Sequence, residues 1–293
     1  MTSGRDGGAG PAALRIQLGS QLRRLRKDRG VTREAAGWEI RASESKISRM
    51  ELGRVPFKER DVADLLSFYG VGEEERRELL GLARRANAPG WWQEYADIVP
   101  PWFLGYLGLE EAASLIRSYE VHFVPGLLQT DDYARAVIAH GHEGAPPEDI
   151  DRRIALRRGR RRVLQRTDPP HVWAVLDEGV LHRPFGGRSV MRGQLEALIA
   201  AAQHPNVRIQ IVPFRGSPRA AAGLPFAILR FAEEELSDVV YVEQLTSALY
   251  LDKPTDVDHY AATMDLACLE AEPPDRTTAI LEKILDELDG SAG

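Results

Sequence analysis

The sequence is poor in cysteine, with Cys268 alone among 293 residues. A single cysteine excludes an internal disulfide and any zinc site built from several cysteines, so we expect a reducing, cytoplasmic setting. No apolar run approaches the roughly 18 residues of a membrane span. The Gly-rich first eleven residues also lack the apolar core of a secretory signal, so we expect neither membrane insertion nor export.

Short catalytic motifs are absent as well: the sequence has no phosphate-binding loop, no H-E-x-x-H zinc motif and no nucleophile elbow. His140, His142 and Glu143 lie in a Gly/Pro-rich loop without a clear further metal ligand. Asp177 and Glu178 follow a predicted strand, but the spacing identifies no second acid or base. We therefore expect no enzymatic activity, no cofactor and no metal, and keep an enzyme that its N-terminal part merely tethers as the least favoured alternative.

Charge is distributed unevenly along the chain, whose net charge is −6. Residues 11–60 contain 13 basic and 6 acidic side chains, whereas residues 91–293 contain 20 basic and 31 acidic ones. A basic module joined to an acidic one indicates that the first part binds an anionic polymer such as nucleic acid. The alternative is a helix face that is merely solvated.

Hydrophobic periodicity predicts an all-α domain of five short helices over residues 14–87, after a disordered tail over residues 1–13. Leu14, Leu18, Leu22 and Leu25 form the apolar stripe of the first helix. The five predicted helices cover residues 14–29, 33–40, 44–52, 58–69 and 73–86. Ala88-Pro89-Gly90 reads as a domain boundary, and we expect the aromatic side chains of residues 91–106 to pack the second domain's first helices.

Beyond the boundary the period changes, which predicts an α+β domain over residues 88–288 with a small mixed sheet flanked by helices. The predicted strands cover residues 171–176, 207–212, 226–231, 239–242 and 249–251. The predicted helices cover residues 109–119, 131–140, 148–166, 190–203, 256–271 and 275–288.

The second and third helices have the pattern of a helix-turn-helix unit, whose second helix enters the major groove. Gly37 lies where the two helices cross closely, and Ile47 and Met50 form the buried pair of the third helix. This arrangement leaves Glu44, Ser45, Lys46 and Arg49 on its exposed face. Glu44 repels phosphate, but at a base-proximal position it can accept a hydrogen bond from cytosine N4.

The runs Thr32 to Gly37 and Ala42 to Gly53 resemble the Xre-type (Cro/lambda repressor-like) DNA-binding domain. The resemblance implies a phosphate contact from Arg33, a cap from Ser43, and a structural ion pair between Glu51 and Arg26. Arg41 stands where a turn glycine is common, which predicts a less tight turn. The residues expected at the DNA are Arg33, Ser43, Glu44, Ser45, Lys46, Arg49, Arg54 and Lys58.

The second domain resembles the antitoxin-like C-terminal domain of unknown function that follows this helix-turn-helix in many actinobacterial regulators. The most specific block is Val124 to Thr130, with further matches such as Gly90-Trp91-Trp92, Trp173 to Glu178 and Val240 to Glu243. The resemblance implies a transcriptional regulator, often encoded beside a small partner protein. We expect a homodimer on double-stranded operator DNA, with half-sites about one helical turn or a small multiple apart. The alternative is a protein that mainly sequesters the small partner.

Two features of the second domain leave alternatives open. Polar residues beside apolar blocks, among them Glu120, Gln129 and Glu243, form either a structural network or a pocket for a small-molecule effector or partner peptide. The segment from Arg152 to Arg166 carries eight arginines, for which there are three alternatives. They contact the DNA flanking the site, they bind an acidic partner, or they pair with acidic residues of their own domain.

Overall fold

The computed structural model describes residues 11–215, 224–232 and 236–290. The chain divides into two compact units, the first of which runs to Ala112 and includes a short segment beginning at Phe231. Most of the predicted N-terminal tail lies outside the described residues. Its last part is helical, because the first helix already begins at Pro11, and proline and alanine suit a first helical turn.

The first unit is helical, as predicted. Its helices are α1 (Pro11–Asp28), α2 (Arg33–Glu39), α3 (Glu44–Glu51), α4 (Glu59–Phe68), α5 (Glu73–Ala86) and α6 (Pro101–Ala112). Leu18 and Leu22 of α1, Ile47 and Met50 of α3 and Leu66 of α4 are almost fully buried in one core. The leucine stripe of α1 therefore packs against the helix-turn-helix and joins it to α1.

The aromatic stretch after residue 90 packs in this first unit rather than in the second domain. Trp92 is 1% exposed, and the guanidinium of Arg15 lies 5.8 Å from its ring centroid. A side-chain carbon at Gly108 of α6 would lie 3.4 Å from the Trp92 ring, so α6 approaches it closely. Helix α6 also packs against α1, and the compact unit thus continues past the boundary expected at residue 88.

The second unit is the α+β domain. Its strands are β1 (Leu115–Glu120), β2 (His171–Asp177), β3 (Val207–Val212), β4 (Phe226–Arg230), β5 (Val239–Glu243) and β6 (Ala248–Leu251). Its helices are α7 (Asp131–Gly141), α8 (Pro147–Arg161), α9 (Glu178–His182), α10 (Arg188–Ala201), α11 (Pro254–Glu270) and α12 (Thr277–Gly290).

The six strands form one mixed sheet in the order β3-β2-β1-β4-β5-β6. Strands β1, β2 and β3 are parallel, with α7 to α10 in their crossovers, whereas β4, β5 and β6 continue antiparallel. Val257, Met264 and Ala267 of α11 pack on one face, on which Tyr119 also lies. Since neighbouring residues of a strand point to opposite faces, Glu120 points to the other one.

The prediction of a helix over residues 109–119 was wrong beyond Ala112. Helix α6 ends at Ala112, and the next residues form β1 in the middle of the sheet. The local pattern continues the apolar rhythm of α6, but pairing with β2 on one side and β4 on the other decides the outcome. Strand preference depends on such surroundings more than on the strand's own residues.

Within the described ranges, none of the helices combines the length and apolar character that a membrane crossing needs.

Candidate nucleic-acid interface

Side-chain caps fix the starts of both helices of the helix-turn-helix. Thr32 Oγ1 accepts a hydrogen bond from the Ala35 amide at 3.1 Å, at the start of α2. Ser43 Oγ accepts one from the Lys46 amide at 3.2 Å, at the start of α3. Each cap satisfies one of the amides that a helix start leaves unpaired, and a good cap contributes about 1 kcal/mol. Ser43 therefore positions α3 as the sequence predicts.

The turn between the helices is tight, in contrast to the expectation drawn from Arg41. Arg41 adopts φ +54°, in the left-handed region that glycine normally occupies in such a turn. The Ala42 amide donates to the Gly37 carbonyl at 2.8 Å, which closes the turn. Arg41 thus adopts a strained backbone conformation, and the turn remains tight.

Glycines allow the helices to approach each other closely. A side-chain carbon at Gly37 would lie 2.6 Å from the Ala42 carbonyl oxygen, as the prediction of a close crossing requires. Sequence reasoning missed Gly19 of α1, where the same carbon would lie 2.5 Å from the Glu51 carbonyl oxygen. A glycine on the buried side of a helical stripe was the available signal. Gly19 therefore sets how closely α1 supports the end of α3.

Glu51, at the end of α3, joins three helices through its carboxylate. Arg26 of α1 donates from Nε to Oε1 and from Nη2 to Oε2, the latter at 3.0 Å. Arg33 of α2 donates from Nε to Oε2 at 3.2 Å. Glu51 is 2% exposed, and its hydrogen bond raises the pKa of Arg26 above the ordinary value. The structural pair predicted for Arg26 and Glu51 is present, and Arg33 completes it.

The outward surface of α3 presents Glu44, Ser45 and Arg49, all exposed. Arg49 Nε donates to the Ser45 carbonyl at 3.3 Å, so the guanidinium lies along the helix beside Ser45. These three side chains occupy the surface that a recognition helix turns toward base edges. Their contacts with DNA stay a prediction.

Two of the residues predicted to contact DNA form ion pairs within the domain. Lys46 Nζ lies 2.5 Å from Asp61 Oδ2 of α4, and its side chain is 30% exposed. Arg33 is held by Glu51 and is half-buried. Sequence reasoning missed both carboxylate partners, because Asp61 is fifteen residues and Glu51 eighteen residues away in the chain.

Lys58 and Arg54 follow the recognition helix, where the resemblance implies phosphate contacts. Lys58 is exposed at the residue before α4 and makes no side-chain cap. Arg54 is half-buried and already interacts within the protein. Of the two, Lys58 is therefore placed more openly for a phosphate.

The arginine tract of α8 packs on its own domain. Arg158 and Arg161 both form ion pairs with Asp131, and Arg161 Nη1 donates to the Gln129 carbonyl at 2.7 Å. Arg157 donates to Gln129 Oε1. Burial alone would raise the pKa of Asp131, but the hydrogen bonds and charges of the two arginines lower it. Of the three alternatives, the structure favours pairing with local groups, which hold the Val124–Thr130 block in place.

The second domain has a cavity of about 460 Å³ beside Trp173 of β2. Arg117 and Arg208 lie on the neighbouring strands at 4.9 and 4.7 Å from the Trp173 ring centroid. Trp173 Nε1 donates to Gln210 Oε1 at 2.8 Å, which fixes the ring. The volume falls within the usual range for small-molecule pockets, and the lining mixes apolar groups with Arg208 and Asn206.

Comparison with known proteins gives two matches. A family model described as "Domain of unknown function (DUF5753)" matches residues 103–283, well over half of the chain. A model described as "Helix-turn-helix domain" matches residues 17–79 and indicates a DNA-binding regulator. No curated protein and no solved structure matches the chain.

Proposed function

Since this chain belongs to the DUF5753 family and carries an N-terminal helix-turn-helix domain, we propose that it is a sequence-specific transcriptional regulator that reads operator DNA through α3. The observation that carries this proposal is the exposed surface of Glu44, Ser45 and Arg49 on a helix that is capped and supported from behind. A helix that contacts base edges must be held rigidly by the rest of its domain.

Arg49 is the principal base-reading residue in this proposal. Its planar guanidinium can donate two parallel hydrogen bonds to guanine O6 and N7, which distinguishes guanine from the other bases in the major groove. Ser45 contacts a neighbouring base or phosphate, and Glu44 accepts from cytosine N4. Lys58 anchors a phosphate and fixes the register without reading sequence.

Arg33 and Lys46 have positioning roles in this proposal. Arg33 orients α2 through Glu51, and Lys46 joins α3 to α4 through Asp61. Their positive charges still contribute to the attraction of DNA. Their loss should therefore reduce stability together with affinity, whereas the loss of Arg49 should lower operator affinity and selectivity and leave stability unchanged.

For the second domain we propose a binding role rather than catalysis: homodimerisation, and sensing of a small effector or a small partner protein. The cavity beside Trp173 supports the sensing part. A dimer supports tight operator binding because two modules bind two half-sites about one helical turn, roughly 34 Å, or a small multiple apart. Such a regulator acts in the cytoplasm, on the nucleoid.

The experiment is fluorescence anisotropy of the full chain with the DNA upstream of its own gene and a scrambled duplex of equal composition, over a salt series. We expect a clear preference for the native duplex, and affinity for both duplexes should fall steeply with salt. Equal affinity for the two duplexes at every salt concentration contradicts sequence-specific binding at that DNA.

Arg49→Ala and Arg77→Ala form a matched pair in this assay, because each removes one exposed arginine from the same domain. Arg77 lies on α5, which packs against α1 and α4. Arg49→Ala should reduce discrimination by about 1–3 kcal/mol, which is roughly 5- to 150-fold. Arg77→Ala should preserve it, and equal behaviour of the two variants would remove Arg49 from the site.

A further inference from the structure

Two arginines and a tryptophan form a row across the three parallel strands. Arg117 of β1, Trp173 of β2 and Arg208 of β3 occupy matched positions in the strand pairing. Their side chains therefore lie next to each other on the same face of the sheet. The two guanidiniums lie 4.9 Å and 4.7 Å from the centroid of the Trp173 ring. Two positive charges thus meet on one aromatic side chain.

The two arginines of this row differ in how their charges are compensated. Arg117, whose side chain is 13% exposed, forms an ion pair with Asp265 of α11, Nη2 to Oδ1 at 2.5 Å. Arg208 is exposed, and no carboxylate in the described part of the chain forms an ion pair with it. Residues 91–293 contain 31 acidic side chains, so such a lack of pairing is not due to a shortage of acids. Arg208 therefore offers an uncompensated positive charge to an external anion.

The contact with Trp173 leaves the donors of Arg208 free to bind. The guanidinium lies over the indole ring, which covers one of its two flat sides. Its N–H donors lie in the guanidinium plane, in the fork that matches the two oxygens of a carboxylate. The ring itself is held because Trp173 Nε1 donates to Gln210 Oε1 at 2.8 Å. A cation that is already held in place loses less freedom when an anion binds.

Arg208 and Trp173 line two neighbouring cavities, which also share Pro274. The cavity beside Trp173 has a volume of about 460 Å³, and Asn206 adds a polar group to its wall. The second cavity has a volume of about 440 Å³ and is lined by Leu269 of α11, which is 83% exposed. Apolar walls around a few polar groups are typical of sites for small organic molecules.

We propose that these two cavities form one site that binds a small organic monocarboxylate. Its carboxylate lies on the Arg208 guanidinium, and its apolar body lies against Trp173 and Leu269. One uncompensated arginine matches one negative charge, whereas a phosphate or a nucleic acid carries more charge and is repelled by this acidic part of the chain. This inference gives the chemical class of the effector and rests on the sensing role proposed above.

The test is a ligand titration of the full chain without DNA, followed by saturation-transfer NMR. The probes are two monocarboxylates, 3-phenylpropionate and octanoate, and 3-phenylpropanamide is the neutral counterpart of the first. We expect both carboxylates to bind with dissociation constants of about 1 mM or below, and the amide to bind at least about tenfold more weakly. Inorganic phosphate at the same concentration should not displace the carboxylates.

Arg208→Gln should weaken carboxylate binding by about tenfold or more and leave amide binding unchanged. Arg135→Gln is the matched control, because Arg135 is an exposed arginine of α7 outside both cavities. Arg208→Lys keeps the charge without the fork and should bind with intermediate affinity. Leu269→Ser guards against a folding defect, because it changes an exposed side chain and should weaken both 3-phenylpropionate and its amide.

No saturable binding of either carboxylate, or equal binding of 3-phenylpropionate and its amide, overturns the inference. Displacement by phosphate, or an equal loss of affinity in Arg208→Gln and Arg135→Gln, also overturns it. The titration contains no DNA, so these failures leave the proposed operator binding standing. Conversely, carboxylate binding at Arg208 that leaves the operator affinity unchanged supports the site and contradicts the sensing role alone.

Discussion

Glu51 in the helical unit is a buried carboxylate and Glu120 in the sheet domain is a half-buried one, and the two stand in opposite electrostatic surroundings. Glu51 accepts hydrogen bonds from Arg26 and Arg33, whose positive charges compensate the negative charge of its carboxylate. Glu120, at the end of β1, has a second carboxylate, Glu243, in its surroundings. Burial raises the pKa of Glu120 to about 8, Glu243 adds to this shift, and Arg160 and Arg157 oppose it.

The comparison shows that an ionised glutamate has opposite effects on stability in the two regions. In the helical unit the ionised carboxylate is required, because the buried Arg26 would otherwise lose its oppositely charged partner. In the sheet domain the ionised carboxylate is the costly form, because desolvation and Glu243 both disfavour it. Substitution by glutamine keeps the shape and removes the charge, so it should destabilise one region and stabilise the other.

Glu51→Gln should have the largest effect, a loss of about 3–5 kcal/mol in the stability of the helical unit. The measurement is native-state hydrogen exchange of the full chain, read on peptides from α1 and α3, because two units need not unfold together. Glu39→Gln, an exposed glutamate of α2, is the control and should leave exchange unchanged. Equal protection from exchange in the two variants would mean that the Glu51 cluster contributes little to the stability of the helical unit. It would then contradict the role that the comparison assigns to Glu51.

Glu120→Gln should have a smaller effect of opposite sign that depends on pH. The native carboxyl keeps its proton up to about pH 8, whereas the unfolded one loses it near pH 4.3. Since the native state binds more protons between these values, stability falls as pH rises through this window and levels off above it. The variant lacks this loss and should be more stable at pH 9 by roughly 1–2 kcal/mol, a figure reduced for partial solvent exposure.

The difference between Glu120→Gln and the unaltered chain should nearly vanish at about pH 3, where the carboxyl is protonated in both states. Glu282→Gln, an exposed glutamate of α12, is the control and should show no such dependence. The measurement is denaturant unfolding followed on sheet-domain signals at several pH values. A stability difference that is equal at both ends of the range would contradict the raised pKa of Glu120.

How much could be predicted from the sequence also differs between the two regions. The helical unit follows from local signals. The leucine stripe of α1 repeats within one helix, and the caps Thr32 and Ser43 and the small residue Gly37 act within a few residues of their partners. Strand β1 was missed because its partners, β2 and β4, are about 55 and 110 residues away. For the same reason the partners of Lys46 and Arg33 became visible only in the folded chain.

The smallest expected effect concerns Arg41, whose φ of +54° places local strain beside the recognition helix. Glycine adopts this conformation freely, whereas for another residue it costs roughly 1–2 kcal/mol. Glycine also has more freedom to lose on folding, so Arg41→Gly should stabilise the helical unit by no more than about 1 kcal/mol. Arg41→Ala removes the same charge while keeping the strain, which makes it the matched control. Hydrogen exchange of α2 and α3 should slow in Arg41→Gly alone. If both variants behave alike, the arginine side chain rather than the backbone conformation determines the stability of the turn.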